Sequence, residues 1–325
     1  MSSREQAARM ATRGLATRSA GTMLGLVVLC AGLWVATPYF LTAANLANVA
    51  EQSAIVGVIA IGMTFVILTG GIDLSVGSVV ALAGVAIGVA LQRQVPLPVA
   101  LGIGLVTGIA AGISNGVLIA VGKLPPFIAT LGMMSVVRGI ALMLADGRPI
   151  SGFQGSLRAL TTNGVPGVPG AVLVMLALYA VAHLVLTRTV FGRLVYAVGG
   201  NEEAAAMSGI NVRTVKIVAY AISGLSASVC TMLLVARLDS AQPIAGMGYE
   251  LDAIAAVVIG GTSLLGGSGS VVGTLIGALI MGVLRNGLNL LGVSSYVQQV
   301  AIGVVIVAAV LVDMALHRRV QRVSR

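Results

Sequence analysis

The sequence predicts an all-α fold, in which about ten transmembrane helices form a polytopic membrane protein. Of its 325 residues, 58% are hydrophobic and only 9% are charged, whereas a soluble domain carries about 25% charged residues. Apolar stretches of about 20 residues, the length that spans the hydrocarbon core of a bilayer, recur along the whole chain. Arginines flank the first and the last of these stretches. These observations exclude a water-soluble globular protein.

The apolar stretches divide the chain into a basic N-terminal tail (1–20), one transmembrane domain (21–316) and a basic C-terminal tail (317–325). Inside the domain the sequence predicts ten helical spans, each separated from the next by polar or glycine-containing residues. Their approximate bounds are 21–40, 52–69, 75–92, 98–121, 126–145, 169–187, 215–236, 252–266, 270–291 and 297–316.

Lysines and arginines set the orientation of these spans. With the N-terminus in the cytoplasm, 13 of the 19 basic residues fall on the cytoplasmic side and two lie within spans, which leaves outside only Arg93, Arg148, Arg158 and Arg237. Cytoplasmic loops of membrane proteins carry an excess of basic residues. Both termini are therefore predicted to be cytoplasmic, and the positive charge of the chain requires no nucleic acid as a partner.

Glycine recurs at every fourth position in two of the predicted spans. On a helix, such a series lines one face and lets the backbone of a neighbouring helix approach closely. The two series are Gly104, Gly108, Gly112 and Gly116, and Gly269, Gly273 and Gly277.

A short sequence echo links the two halves of the chain. The residues NGVL at 115–118 and NGLN at 286–289 lie in spans that run in opposite directions, five crossings apart. An inverted structural repeat would produce such a pair, and a chance match is the alternative for so short a segment. Only the packing of the helices can distinguish the two explanations.

The longest polar interruption on the cytoplasmic side covers residues 188–214. Asn201 suits the N-cap of a helix, and Glu202 and Glu203 would occupy its first turn, where the helix dipole favours acids. Gly209 can end the helix in a left-handed conformation. We predict a short cytoplasmic helix, which serves either as an ordinary connection or as a docking helix for a cytoplasmic partner.

Four segments of the sequence resemble the motifs of one transporter family. They read YAVGGNEEAA at 196–205 followed by SGI at 208–210, GMTFVILTGGIDLSVGS at 62–78, SAQP at 240–243 with GYELDAIAAVV at 248–258, and GGTSL at 260–264 with NGLNLLGVSSY at 286–296. Over residues 45–315 the chain resembles the permease subunits of ribose-type ABC importers, a family of bacterial monosaccharide permeases.

The resemblance implies a permease that forms the translocation path for a monosaccharide, first of all ribose, in the bacterial inner membrane. Another pentose, a hexose or an autoinducer-type molecule is the alternative substrate. The implied partners are a cytoplasmic subunit that binds ATP and Mg²⁺, a periplasmic sugar-binding protein, membrane lipid, and a second permease, expected to be an identical copy, with a heterodimer as the alternative. The chain itself is then not an enzyme and binds no cofactor or metal.

The residues agree independently that the chain lacks an ATP site. A P-loop requires the pattern G-x-x-x-x-G-K-[ST], and the only Gly-Lys pair, Gly122-Lys123, has Val117 where the first glycine should stand. His183 and His317 lie far apart in the sequence and form no catalytic constellation.

The resemblance assigns coupling with the ATP-binding subunit to the predicted cytoplasmic helix. In a two-part importer of this kind, that contact transmits the work of the ATPase to the membrane. The residues concerned are Gly200, Asn201, Glu202, Glu203, Ala205, Ser208 and Gly209.

Two glycine-containing breaks between apolar runs, at 70–75 and 260–270, are candidate parts of the translocation path. Irregular backbone within a membrane is tolerated only beside protein or a water-filled cavity. Asp73 could either cap the helix that follows it, by accepting amide protons, or contact the sugar or a gate. The candidate path residues are Asp73, Ser75, Asn115, Ser263 and Asn286.

Two other classes of function compete with this interpretation. A secondary transporter would require intramembrane acids arranged as a relay, and only Asp73 and Glu51 qualify. A scaffold subunit without a transport path would not need a cytoplasmic docking segment. The dependence of uptake on ATP distinguishes the importer from the secondary transporter.

Overall fold

A computed structural model describes residues 21–153 and 168–323 of the protein. The predicted N-terminal tail, 1–20, lies outside these residues. The described chain forms twelve helices and two strands: α1 (Gly21–Ala36), α2 (Ala43–Leu68), α3 (Val76–Gln92), α4 (Leu97–Ala120), α5 (Pro126–Leu144), β1 (Ile150–Ser151), α6 (Gly170–Arg188), α7 (Val190–Gly200), α8 (Glu202–Met207), α9 (Val212–Leu238), β2 (Ser240–Ala241), α10 (Tyr249–Ile259), α11 (Val271–Leu290) and α12 (Ser295–Val323).

Each of the ten predicted spans overlaps one helix, α1 to α6 and α9 to α12. Six of these helices, α2, α4, α5, α6, α9 and α11, are long and apolar enough to cross a membrane. The predicted all-α membrane fold is therefore confirmed, whereas helix lengths alone do not fix the number of crossings at ten. Helix α7, an apolar helix of 11 residues, was not predicted from the sequence.

The bounds predicted for the eighth span are wrong. The sequence predicts a helix over 252–266, but α10 has only 11 residues, and residues 260–270 follow it without regular structure. Gly261, Gly266 and Gly267 have φ angles of 86°, 87° and 69°, which glycine adopts far more readily than other residues. Gly261 ends the helix, and Gly266 and Gly267 keep the following residues non-helical, although the apolar composition continues.

Two long-range contacts determine which helix ends lie on the same side. Strand β1 pairs with β2, with Ile150 opposite Ala241, and so brings the end of α5 to the end of α9. The Gly267 amide donates a hydrogen bond to the Leu68 carbonyl oxygen over 3.0 Å, and so joins the segments that follow α10 and α2. Ten alternating spans require both pairings. A cytoplasmic N-terminus places the β1–β2 pair in the periplasm and the second contact at the cytoplasmic side.

Glycines allow helices of the core to touch backbone to backbone. Gly108 of α4 lies against Gly224 of α9, and Gly277 of α11 lies against Ala256 of α10, so closely that a Cβ atom on any of these glycines would overlap the neighbouring backbone. The predicted close approach is therefore confirmed for both helices. Gly269 precedes the start of α11 and is not part of its glycine face.

The contacts of the core helices repeat between the two halves of the chain. Helix α4 packs on α9 and α3, α11 packs on α2 and α10, and α2 lies against α9 at the centre. Exchanging α2 with α9, α3 with α10 and α4 with α11 leaves this set of contacts unchanged. Because the exchanged helices run in opposite directions, the packing supports the inverted repeat that the Asn-Gly echo indicates.

Enlarging a glycine of the α4–α9 contact should destabilise the protein. A Cβ atom at Gly108 would meet the side chain of Ser228 and the carbonyl oxygen of Gly224, whereas one at Gly102, on the same helix, meets no atom within 4 Å. Overpacking costs about 1–3 kcal/mol even where side chains can shift. Gly108→Leu should therefore lower the yield and thermal stability of the detergent-solubilised protein, and Gly102→Leu should not. Equal stability of the two variants would contradict the assigned packing.

Labelling with an impermeant maleimide should report the orientation of the chain. In intact spheroplasts, we expect the maleimide to modify the Ser156→Cys variant and not the Glu202→Cys variant. Both variants carry Cys30→Ala and Cys230→Ala. The second variant should react only after the membrane is permeabilised. The reverse pattern would exclude the orientation that the arginines predict.

Candidate coupling and translocation site

Helix α8 has a defined beginning and end, as the sequence predicts. The Asn201 side-chain oxygen accepts the Ala204 amide proton at 2.9 Å and caps the N-terminus. At the other end, Gly209 has a φ of 81°, and the amide of Ile210 donates to the Ala205 carbonyl oxygen over 3.1 Å. These features form a Schellman motif, so that both ends of a very short helix are fixed.

One side of α8 rests on the protein and the other is open. Ala205 is buried at 5% exposure, whereas Met207 is 83% exposed. Lys216 of α9 binds the Glu202 carboxylate at 2.7 Å and holds the helix in place. Of the predicted coupling residues, Ala205 therefore anchors α8 on the protein. Glu203 lies on the exposed face, where a partner can reach it.

A cavity of about 700 Å³ lies beside α8. It separates the helix from the turn between α4 and α5, and its walls carry charges of both signs. The charged lining residues are Lys123, Glu202, Glu203, Arg213 and Lys216. The open face of α8 and this cavity form one continuous surface, on the side that the arginines predict to be cytoplasmic.

Helix α7 joins α8 to both breaks in the membrane helices. A Cβ atom at Gly199 would overlap the Leu68 carbonyl oxygen and lie 2.6 Å from the Gly267 nitrogen. The Tyr196 hydroxyl donates to the Gly269 carbonyl oxygen over 2.9 Å. The ring of Phe191 stacks on the ring of Phe65 in α2. We call this contact of α7 with residues 68–70 and 266–269 the glycine junction.

The Tyr196 hydroxyl remains a donor at neutral pH. Burial raises the pKa of this hydroxyl above its ordinary value, because removing the group from water disfavours the phenolate. The hydrogen bond to Gly269 therefore persists over the physiological range of pH.

Asp73 is the centre of a buried polar cluster. Its Oδ1 accepts hydrogen bonds from the Ser75 amide at 3.0 Å, from the Ser75 hydroxyl at 2.7 Å and from Asn115 Nδ2 at 3.4 Å. The hydroxyl of Ser223 donates to Oδ2 over 2.8 Å. The carboxylate thus ties the first break to α4 and α9, and Ser75, not Asp73, is the N-cap of α3.

The structure brings three of the five candidate path residues, Asp73, Ser75 and Asn115, together in this cluster. The other two lie apart. Ser263 belongs to the second break, where its hydroxyl accepts the Leu265 amide proton at 3.2 Å. Asn286 exchanges two side-chain hydrogen bonds with Asn45, of 3.1 and 2.8 Å, between α11 and α2. All five are at most 4% exposed, so a direct contact with substrate stays a prediction for each of them.

Two acid–arginine pairs lie in or near the membrane spans. Arg285 Nη2 contacts both carboxylate oxygens of Asp252, at 2.9 and 2.6 Å, and Arg237 lies 3.4 Å from Glu51. Arg138 donates instead to two carbonyl oxygens of the loop before α10. Because the carboxylates of Glu51 and Asp252 each pair with an arginine, the arrangement does not resemble a relay of acids.

Sequence reasoning missed several of these partners. Ser223 lies in a long apolar helix, 150 positions from Asp73, and nothing in the surrounding sequence marks it as a ligand of that carboxylate. The acid Asp252 and the base Arg285 lie in two consecutive predicted spans. A search for opposite charges in neighbouring spans could therefore have paired them.

Comparison with known proteins assigns the sequence to a family. Residues 45–310 match the family model described as the branched-chain amino acid transport system / permease component. The chain belongs to this family. It is 50% identical to the ribose import permease protein RbsC of Bacillus subtilis, over 90% of this chain and 92% of that protein, and 49% identical over the same shares to its namesake in Escherichia coli strain K12.

More distant relatives carry other names. The chain is 39% identical to the D-allose transport system permease protein AlsC of Escherichia coli strain K12, over 92% of each chain. No solved structure matches the chain. The protein is a multi-pass membrane permease, and the resemblance that its motifs indicate is confirmed.

Removing the Asp73 carboxylate should destabilise the fold. In Asp73→Ala, the donors of Ser75 and Ser223 lose their acceptor, and each buried unpaired group costs about 1–3 kcal/mol; Asn115 keeps its 2.8 Å hydrogen bond to the Ser75 hydroxyl. Thermal unfolding in detergent should show a large loss of stability for this variant. Ser114→Ala, which removes a hydroxyl from the exposed side of α4, should leave stability unchanged, and similar unfolding temperatures for both variants would show that the cluster has no structural role.

Proposed function

We propose that this chain is the permease subunit of an ATP-binding-cassette importer that carries ribose across the bacterial inner membrane. The observation that carries the proposal is the identity of about half of all residues, over nine tenths of the chain, with proteins named ribose import permease. Identity with the allose and xylose permeases is 39% and 37%. Ribose is therefore favoured over the alternative pentose and hexose substrates.

Energy for transport comes from a separate subunit in this proposal. The sequence has no P-loop, and the open face of α8 with its neighbouring cavity is a surface on which a cytoplasmic ATP-binding subunit can dock. That subunit holds ATP and Mg²⁺. A periplasmic sugar-binding protein delivers ribose to the opposite side, where the β1–β2 pair lies.

The glycine junction supplies the mechanical connection. Movement of the ATP-binding subunit displaces α8, and α7 follows because a single residue, Asn201, joins the two helices. Because Gly199 has no side chain, the backbone of α7 lies directly against the backbone of residues 68 and 267. A displacement of α7 therefore moves both breaks together, and these breaks form the cytoplasmic gate of the path.

Two permease copies enclose the path. A single chain has its candidate polar residues buried inside its own helix packing, so a path on the axis between two chains requires less rearrangement than one through the middle of a chain. An identical copy is the expected second subunit, and a sister permease is the alternative. The mass of the purified complex distinguishes the two.

Reconstitution provides the direct experiment. Proteoliposomes that contain this chain with its ATP-binding subunit should take up ribose only when ATP and the ribose-loaded binding protein are supplied, and allose and xylose should compete weakly. Uptake that follows a proton or sodium gradient in the absence of the ATP-binding subunit would instead identify a secondary transporter.

The open face of α8 should be required for docking. Ala204→Arg combined with Met207→Arg places two large charges on this face without touching the buried Ala205. We expect the protein level to be normal, the ATP-binding subunit to be lost on co-purification, and ribose uptake to fall at least about tenfold, since each buried unpaired charge at an interface costs several kcal/mol.

A matched control uses an equally exposed methionine at the other end of the protein. Met143, at the end of α5, is 82% exposed, and Met143→Arg should leave the ATP-binding subunit bound. Retention of that subunit and normal uptake in the α8 double variant would show that α8 is only a connection between α7 and α9.

A further inference from the structure

A second cavity, of about 380 Å³, opens between α10, α11 and α12. It lies at the periplasmic ends of these helices, on the side opposite the glycine junction. Six polar residues contribute to its lining: Asp252, Arg285, Asn289, Ser295, Gln298 and Gln299. None of them belongs to the coupling surface or to the predicted path residues.

Arg285 indicates that this cavity contains water and not lipid. Its side chain is 39% exposed, although it lies in α11 roughly 8 Å from the helix end. A charged group within a membrane span faces the interior of the bundle or a water-filled cavity, because exposure to hydrocarbon is costly. The partner carboxylate of Asp252 is 2% exposed and fixes the guanidinium from the protein side.

Helix α12 separates this cavity from the outer surface. The cavity residues Ser295, Gln298, Gln299, Ile302, Gly303 and Ile306 recur at helical spacing on one face. A different face carries apolar side chains that are more than half exposed, as is expected beside lipid or another subunit: Val297, Val300, Val304, Val307 and Leu311.

Four of the six polar residues, Asp252, Arg285, Asn289 and Gln298, are linked by hydrogen bonds before any ligand binds. Gln298 is 7% exposed, and its Nε2 donates to Asn289 Oδ1 over 2.7 Å and to the Val293 carbonyl oxygen over 2.8 Å. Arg285 uses one nitrogen, Nη2, for both bonds to Asp252. The remaining guanidinium nitrogens, the Asn289 amide nitrogen and the exposed amide of Gln299 are available to a ligand.

The chemistry of these groups indicates the class of ligand. Planar amide and guanidinium groups can bond to neighbouring hydroxyls, and the charges of Asp252 and Arg285 compensate each other. A neutral polyhydroxylated molecule is therefore favoured over an anion or a cation. The volume lies within the range of small-molecule sites, which is about 300–1,000 Å³.

We propose that this cavity is a periplasmic sugar subsite, where ribose released by the binding protein first contacts the permease. The proposal rests on the proposed function, since it takes ribose as the transported molecule. It adds a set of named residues to that function, and the site is separate from both breaks.

Protection from labelling measures occupancy without relying on transport. In the Cys30→Ala and Cys230→Ala background, the Gln299→Cys variant is purified with its ATP-binding subunit, without the binding protein, and treated with a maleimide. Millimolar ribose should slow modification at least about threefold, the effect of occupying most of the sites. Ribose 5-phosphate at the same concentration should protect less, and Gln92→Cys, at the periplasmic end of α3, should show no protection.

Uptake gives a second measurement on the same position. With saturating ribose-loaded binding protein, Gln299→Leu should reduce ATP-dependent uptake about three- to tenfold, the effect of losing one hydrogen bond, and Gln92→Leu should not reduce it. Normal uptake by Gln299→Leu, or equal labelling with and without ribose, would overturn the subsite if the wild-type complex transports ribose. Spontaneous disulfide dimers of the Gln299→Cys variant that block labelling would also overturn it, and would assign the cavity to contact between two copies. Failure of the wild-type complex to transport ribose would instead refute the proposed function.

Discussion

Two stretches of non-helical backbone, after α2 and after α10, are largely buried or half-buried, and buried amides and carbonyls without hydrogen-bond partners are costly. The protein encloses them by bringing them together. The Gly267 amide bonds to the Leu68 carbonyl oxygen, Gly199 of α7 closes over both, and the Asp73 carboxylate accepts the donors around the first break. Glycines are needed at this point because any side chain would separate the three backbones.

The same requirement links structure to transport. A segment packed directly on irregular backbone cannot move without moving that backbone, and only Asn201 separates α7 from the capped helix α8. The cytoplasmic surface on which an ATP-binding subunit would dock is therefore connected to both breaks through main-chain contacts. On the opposite side, the pair of Asp252 and Arg285 stabilises the ends of α10 and α11 and leaves polar groups beside a water-accessible cavity.

Features encoded by neighbouring residues could be predicted from the sequence. Asn201 and Gly209 specify the two ends of α8, and the glycines of α4 specify a close helix contact. Features that depend on distant residues could not be predicted. Ser223 has the same appearance as any small polar residue in an apolar helix, and the end of α10 depends on glycine conformations that hydropathy does not report. The contact between Gly199 and the breaks joins three segments that are far apart in the chain, and no local pattern identifies it.

A pair of adjacent glycines offers the most direct measurement of the coupling. A Cβ atom at Gly199 would overlap the backbone of Leu68 and crowd Gly267, whereas a Cβ atom at Gly200 meets no atom within 4 Å. The number of ribose molecules taken up per ATP hydrolysed should be compared in Gly199→Ala and Gly200→Ala, each purified with its ATP-binding subunit and reconstituted at equal amounts. The account predicts that Gly199→Ala binds the ATP-binding subunit and hydrolyses ATP but loses most uptake, and that Gly200→Ala retains the wild-type ratio. A wild-type ratio in Gly199→Ala would contradict the glycine junction as the connection between ATP hydrolysis and the gate.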